Sequence, residues 1–145
     1  MTNNAFVYVT YIAAAPENVW EALTSPDFTQ QYWGGMRIQS DWRPGSPVQH
    51  IKDDGSVDWE GEVIEADPPR RLAYTFNCAG RTGTESRVTM RIESYGEVVR
   101  LTVTHEGYEP GSKDYEGIAM GWPAILSSMK SLLERGEALS YPWKG

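Results

Sequence analysis

The sequence predicts an α+β fold in which one curved antiparallel sheet of about seven strands wraps around a long C-terminal helix. Segments of alternating apolar and polar residues are separated by Asp-Gly and Pro-Gly pairs, which is typical of antiparallel hairpins. One long helical face occurs near the C-terminus, and a sheet with one apolar face needs such a cover. The 145 residues contain no internal repeat or linker, so we expect one domain, 1–145.

The first elements are expected to be a strand and two short helices. The run FVYVTYIAA, Phe6 to Ala14, is β-branched and aromatic, which predicts a strand. Pro16 suits the first turn of a helix, and Pro26 interrupts that helix. The pair Gly34 and Gly35 would end the second helix.

Six further strands are expected between residues 36 and 107. Each alternates between apolar and polar side chains, as does a strand with one buried face. The strands are separated by turn residues: Arg43-Pro44-Gly45, Asp53-Asp54-Gly55, Asp67-Pro68-Pro69, the loop from Gly80 to Gly83, and Tyr95-Gly96-Glu97.

The last helix is expected over Gly117 to Gly136. A proline within an established helix removes a backbone donor and clashes with the preceding turn. Gly121 and Pro123 should therefore mark the bent or newly started N-terminal end of this helix, with Trp122 over the mouth of a pocket. The apolar residues with helical spacing are Ile118, Trp122, Ile125, Met129 and Leu132.

Charge and composition exclude several function classes. The net charge is −7, and the longest basic cluster is Arg70-Arg71, so we expect no nucleic-acid partner. No window is apolar for long enough to span a membrane, and the N-terminus lacks the basic region of a signal peptide. We expect a cytoplasmic protein, and the single cysteine, Cys78, is consistent with a reducing compartment.

Metal, nucleotide and cofactor sites are not expected. His50 and His105 are the only histidines, and no spacing typical of a zinc site occurs. The loop from Gly80 to Gly83 precedes a strand rather than a helix, which is the wrong context for a dinucleotide site. Glu60 and Glu62 share one face of their strand, which we expect to be solvated.

His105 is a weak catalytic candidate. It ends an inward row with Leu101 and Val103, so the adjacent Glu106 faces away from it. His105 could be a general base, a hydrogen-bond donor to a ligand, or a core histidine satisfied by its neighbours.

The inward rows of the strands and of the last helix together form an apolar constellation. Large apolar side chains with a few polar tips are typical of a small-molecule site, although a solid core uses the same residue types. Gly61 would leave room for a ligand or another side chain. The candidate ligand-binding residues are Trp59, Tyr74, Phe76, Met90, His105, Trp122, Ile125 and Met129, with Trp33, Trp42 and His50 at the open end.

The chain resembles the START-like (SRPBCC) helix-grip superfamily. The resemblance lies in IAAAPENVWEALTSPDFTQQYWG, EGEVIEADPPRRLAYTF, LTVTHEGYEPGS and GWPAILSSMKSLLERG, and it extends from about Phe6 to about Gly136. Within the superfamily, the chain is similar to the bacterial single-domain group named after the activator of the heat-shock protein 90 ATPase. The resemblance implies a cavity between sheet and helix, which relatives use for lipids, sterols, polyketides or plant hormones.

Three functions remain open. The first is binding of an apolar or aromatic small molecule, which requires only the cavity. The second is a cavity-based enzyme of cyclase or hydrolase type that uses His105. The third is association with a chaperone, although the family's chaperone activators have two domains and we expect one here. The tail 137–145, with Tyr141 and Trp143, could dock on the domain or cover the seam of a homodimer.

Overall fold

The computed structural model describes residues 5–78 and 86–139. These residues form seven strands and three helices. The strands are β1 (Phe6–Ile12), β2 (Arg37–Ser40), β3 (Pro47–Ile51), β4 (Val57–Asp67), β5 (Arg71–Cys78), β6 (Ser86–Tyr95) and β7 (Val98–Glu106). The helices are α1 (Pro16–Thr24), α2 (Pro26–Tyr32) and α3 (Lys113–Arg135). The predicted loop from Gly80 to Gly83 lies outside the described residues.

All seven strands belong to one antiparallel sheet with the order β1-β7-β6-β5-β4-β3-β2. The helices α1 and α2 connect β1 and β2, which lie at opposite edges of the sheet. Four residues of α3 belong to the same core as the sheet: Ile118, Trp122, Leu126 and Met129. The predicted α+β helix-grip fold is therefore confirmed.

The two faces of the sheet differ as the alternation predicted. On β7, Val99, Leu101, Val103 and His105 are all buried, and the residues between them are more exposed. This is the pattern of a strand that has one face on the core. Glu60 and Glu62 are exposed, so their predicted solvated face is confirmed.

Helix α3 begins earlier than the sequence pattern indicated. Its N-cap is Ser112, whose Oγ accepts a hydrogen bond from the Tyr115 backbone N–H at 3.1 Å. The helix then continues to Gly136, which has a left-handed φ of 82°. Pro123 lies inside this helix, so the expectation that it marks a newly started N-terminal end is wrong. Because Pro123 has no N–H, the Ala119 carbonyl lacks its usual helical donor.

The start of the tail folds back along α3. Ser131 Oγ donates to the Glu137 carbonyl oxygen at 2.6 Å, and Ser128 Oγ accepts from the Leu139 N–H at 3.0 Å. The rest of the predicted docking segment, residues 140–145, lies outside the described part of the chain. Among the described helices, none has the length and apolar character that crossing a membrane would need.

Candidate functional site

A cleft of about 250 Å³ opens between the N-terminal half of α3 and the aromatic side chains that face it. Phe76 on β5 and Trp59 on β4 stack with ring centroids 4.6 Å apart. Trp33, which follows α2, contacts Trp122 of α3 edge to face at 5.3 Å. The cleft is lined by Trp33, Trp59, Phe76, Lys113, Asp114, Gly117, Ile118, Gly121, Trp122 and Ile125.

Five of the predicted ligand-binding residues line this cleft: Trp33, Trp59, Phe76, Trp122 and Ile125. Trp122 forms part of its wall, but it is only 2% exposed, so it is a core side chain as well as a cleft side chain. Four aromatic and two isoleucine side chains make the walls mostly apolar, and Lys113 and Asp114 contribute charged groups to the lining.

His105 lies behind the cleft in a hydrogen-bonded network. The indole Nε1 of Trp122 donates to His105 Nδ1 at 2.9 Å, so Nδ1 must be the acceptor. The proton is then on Nε2, which lies 2.9 Å from Ser86 Oγ and donates to it. The Ser86 hydroxyl in turn donates to the Phe76 carbonyl oxygen. Both ring nitrogens are thus occupied, and His105 has the arrangement of a core histidine satisfied by its neighbours.

His50, unlike His105, is buried without hydrogen-bond partners for its ring among the described residues. It is 1% exposed, so its expected place at an open end is wrong. Within the described residues, neither its Nδ1 nor its Nε2 has a hydrogen-bond partner. Its ring packs edge to face against Trp33 at 5.3 Å and Phe76 at 5.1 Å. Burial lowers the pKa of His50 from 6.5 to about 3, and that of His105 to about 4, so both rings are neutral near pH 7.

The other predicted residues lie outside the cleft lining. Tyr74 is buried, and burial raises the pKa of its hydroxyl above the usual value. The Trp42 indole donates to the Thr24 carbonyl oxygen at 2.9 Å, which holds it away from the cleft. Met90 and Met129 are fully buried in the core.

Gly61 does not make room for a ligand. A Cβ atom at this position would overlap the backbone carbonyl oxygen of Thr75 on β5. The next residue, Glu62, donates its N–H to the Thr75 side-chain hydroxyl at 2.8 Å. The close approach is therefore between β4 and β5. Of the two expected occupants of the space at Gly61, a ligand or another side chain, the structure has the backbone and side chain of Thr75 there.

Sequence reasoning missed Lys113 and Asp114 because it placed the start of α3 too late, and it missed Gly117 and Gly121 because a glycine has no side chain to mark a lining. Lys113, Asp114, Gly117 and Gly121 belong to the first turns of the helix as the structure has it. Ser112 followed by acidic residues in the first turn was a usable sign of a helix N-terminus. Ser86 was also missed, since its role depends on strand pairing that the sequence does not display.

A wider groove of about 630 Å³ lies near the β4–β5 turn and carries mostly charged residues. Its arginines are paired with carboxylates: Arg70 with Asp67 at 3.3 Å, and Arg91 with Glu93 at 3.8 Å. These charges largely balance one another in an open, solvated groove, so we place the candidate site in the aromatic cleft. No group of metal-ligating side chains is found within the described residues.

Comparison with known proteins identifies the family. The model of the family "Activator of Hsp90 ATPase homolog 1-like protein" matches residues 13–134, which is most of the chain. The chain belongs to this family. No curated protein sequence matches this family member.

Solved structures of other proteins have the same fold as this family member. Protein MLL2253 from Mesorhizobium loti is 27% identical, with a TM-score of 0.77 over 92% of this chain and 98% of that chain. The Aha1 dimer from Colwellia psychrerythraea is 20% identical, with the same TM-score and coverage. DynU16, from the dynemicin biosynthetic locus, is 22% identical, with a TM-score of 0.82 over 99% of this chain and 52% of that chain.

Proposed function

We propose that this chain binds an apolar or aromatic small molecule in the cleft between α3 and the sheet. The observation that carries the proposal is the set of four aromatic side chains, Trp33, Trp59, Phe76 and Trp122, around one opening of about 250 Å³. Concave, mostly apolar sites with a few polar groups are typical of small-molecule binding. DynU16, which shares the fold, is a protein of the dynemicin biosynthetic locus.

Binding is favoured over catalysis by the hydrogen bonds of His105. A general base needs a free nitrogen within reach of the substrate. The two nitrogens of His105 are engaged by Trp122 and Ser86, and the residue is not part of the cleft lining. Its geometry supports a role in holding Trp122 in the cleft wall.

The experiment is a thermal-shift screen with apolar and aromatic compounds, repeated with two helix variants. Gly117 lines the cleft, and an added Cβ there would meet nothing within 4 Å, so Gly117→Phe should fill the cleft without disturbing the core. Met120→Phe is the matched control, since Met120 is on the same helix and is 78% exposed. A compound that binds only the folded state raises the melting temperature with its concentration.

We expect the shift to appear in the wild type and in Met120→Phe, and to disappear in Gly117→Phe. A shift that persists in Gly117→Phe would mean that the compound binds elsewhere. If no compound in the library raises the melting temperature of the wild type, the proposal of a small-molecule site fails.

A second candidate function is association with a protein through the outer face of β1. Three apolar side chains of this edge strand are exposed, Val7 at 53%, Val9 at 45% and Tyr11 at 43%, and Tyr95 beside Tyr11 is 56% exposed. Contiguous exposed apolar side chains are typical of interaction surfaces. The partner could be a second copy, as in the Colwellia psychrerythraea dimer, or an Hsp90 chaperone, as the family's name suggests.

This second candidate is tested with purified proteins. Sedimentation velocity measures self-association, and the ATPase rate of a purified bacterial Hsp90 measures chaperone activation. Val9→Glu should reduce either effect, because it places a charge in the apolar row. A monomeric wild type that leaves the ATPase rate unchanged would remove this candidate.

A further inference from the structure

His50 is a buried polar residue for which the fold supplies no partner. Both ring nitrogens are without a hydrogen bond among the described residues, and the residue is 1% exposed. A buried group left unpaired in this way is destabilising, so its presence in a native protein calls for a reason. One such reason is a partner that is not part of the chain.

His105 shows that this core is able to satisfy an imidazole. It is as buried as His50, yet Trp122 and Ser86 pair with its two nitrogens. The two histidines contact the same Phe76 ring from different strands, β3 and β7. The lack of partners is thus specific to His50 and is not a general property of the core.

Only one layer of aromatic rings separates His50 from the cleft. Trp33 and Phe76 both contact the His50 ring, at 5.3 Å and 5.1 Å, and both also line the cleft. A ligand that enters the cleft and displaces one of these rings would therefore reach the imidazole.

Trp33 is the ring better placed to move. Phe76 belongs to β5, which is paired on both sides with β4 and β6, whereas Trp33 lies in the turn between α2 and β2. Backbone hydrogen bonds hold this turn, so the movement in question is rotation of the Trp33 side chain. The indoles of Trp42 and Trp122 are each held by a hydrogen bond. Among the described residues, no hydrogen bond holds the Trp33 indole. Rotation of Trp33 would join the cleft to His50.

We infer that the ligand of the cleft is a hydroxylated aromatic compound whose hydroxyl group passes Trp33 and hydrogen-bonds to His50. This inference rests on the proposed function, since it names the chemistry of the ligand for the same cleft. The aromatic walls select a flat ring, and the imidazole selects the polar group. A hydroxyl both donates and accepts, so it can pair with whichever nitrogen faces it in either tautomer.

A carboxylate is a poorer match for this position. Burial lowers the pKa of His50 to about 3, so in the ligand-free protein the ring carries no charge near pH 7, and an ion pair with a carboxylate would first require protonation of a buried ring. Placing an anion beside an uncharged imidazole in the core would add a large desolvation cost. The inferred ligand is therefore neutral where it meets His50.

The experiment compares 2-naphthol with naphthalene, two flat probes that differ by one hydroxyl group. Binding of each is measured by tryptophan fluorescence in the wild type and in His50→Phe, which replaces the imidazole by an apolar ring. The measured quantity is the ratio of the two dissociation constants, which cancels changes that affect both probes. We expect the preference for 2-naphthol to fall about tenfold in His50→Phe, the size of effect that one hydrogen bond to a buried group gives.

A second measurement uses the wild type alone. The ¹⁵N resonances of the His50 ring should shift when 2-naphthol is added and should not shift with naphthalene. An equal preference in wild type and variant, or unshifted ring resonances with bound 2-naphthol, would overturn the inference while leaving the cleft as a binding site. If neither probe binds the wild type, the proposed function fails for flat aromatic ligands, and this inference fails with it.

Discussion

At the scale of single residues, His50 and His105 allow an unpaired buried imidazole to be compared with a hydrogen-bonded one in the same core. Replacing an unpaired buried group by an apolar one removes its desolvation cost, whereas removing one partner of a pair leaves the other unsatisfied. We therefore expect His50→Phe to raise the free energy of unfolding by about 1 kcal/mol. His105→Phe should lower it by about 2 kcal/mol, because the Trp122 N–H loses its acceptor.

Urea unfolding of the two variants checks this prediction. Both histidines are 1% exposed, so the change in buried surface is similar and each variant is the control of the other. A comparable loss of stability in both variants would show that His50 has a partner of its own, such as an ordered water molecule.

Gly61 gives a second prediction at this scale. In Gly61→Ala the new methyl group would overlap the Thr75 carbonyl oxygen, and a backbone atom of a paired strand cannot move aside cheaply. We expect a loss of about 3 kcal/mol or more in the free energy of unfolding. Gly117→Ala is the control, since it has open space in a helix and should gain about 0.5–1 kcal/mol. Equal behaviour of the two variants in thermal unfolding would contradict this account.

The sequence predicted the orientation of core side chains better than their hydrogen-bond partners. Alternation along β5 and β7 was enough to predict that Phe76 and His105 point inward, because the side-chain period of a strand is two. His50 was expected at the open end and is buried instead. Which histidine is satisfied was not predictable from that pattern. The partners of His105 come from β6 and α3, and only the assembled sheet brings them together.

At the scale of elements, Pro123 makes the middle of α3 weaker than its length suggests. A helix interior without proline would supply an N–H to the Ala119 carbonyl, so Pro123→Ala should raise the free energy of unfolding by about 1–3 kcal/mol. Pro16→Ala is the control, because Pro16 is in the first turn of α1, where the N–H has no helical partner. Urea unfolding measures both, and a destabilising Pro123→Ala would mean that the core depends on the proline ring.

Hydrogen bonds join the C-terminal half of α3 to the end of the edge strand β1 and the residue that follows it. Lys130 Nζ donates to the Tyr11 carbonyl oxygen at 2.6 Å and to Glu134 Oε2 at 2.7 Å, and Glu134 accepts the Ala13 N–H at 2.7 Å. Lys130→Met should cost about 1 kcal/mol and speed hydrogen exchange at the Ala13 amide. Arg135→Met, in the last turn of the same helix, should change neither. Unchanged exchange at Ala13 in Lys130→Met would argue against this link.

Helix α3 also shows that a sequence pattern predicts the presence of a helix better than its first residue. The apolar spacing from Ile118 to Leu132 predicted the helix, which was found. Ile118, Trp122 and Met129 of the predicted face are buried, whereas Ile125 and Leu132 are only partly buried. The proline at Pro123 pointed to a later start than the capping pattern at Ser112, and the structure follows the cap. Lys113 and Asp114, which line the cleft, lie in the first turn, which the sequence did not predict as helix.

At the scale of the whole molecule, the order of elements was the most predictable property and the ligand the least. The turn residues between strands and the helical spacing of apolar residues near the C-terminus predict an antiparallel sheet covered by one long helix. The structure has this sheet, and the family match over residues 13–134 agrees with this fold. Ligand chemistry depends instead on gaps between side chains from α2, β4, β5 and α3. Such gaps are small differences in packing, and a match of fold at about 20% identity carries no information on them.

Stability against acid is a property of the whole molecule that the two histidines should control. Burial lowers the pKa of His50 to about 3 and of His105 to about 4, from 6.5. As the pH falls below 6.5, the unfolded chain binds protons that the folded chain does not, so the folded state loses stability. With about 1.4 kcal/mol per pH unit for each histidine, the free energy of unfolding should fall by roughly 2 to 3 kcal/mol between pH 6 and pH 5.

Between pH 6 and pH 5, the effect of the histidines on stability is distinguishable from that of the carboxyl groups. Hydrogen bonding lowers the pKa of Glu134, chiefly through Lys130, so its contribution to stability is present above its ordinary value of 4.5 and is lost below it. Between pH 6 and pH 5 the loss should therefore come from the histidines, and His50→Phe should halve it. Urea unfolding at several pH values measures the slope. A slope that is the same in wild type and His50→Phe would mean that the buried imidazole gains protons in the folded state, which requires water or a polar group beside it.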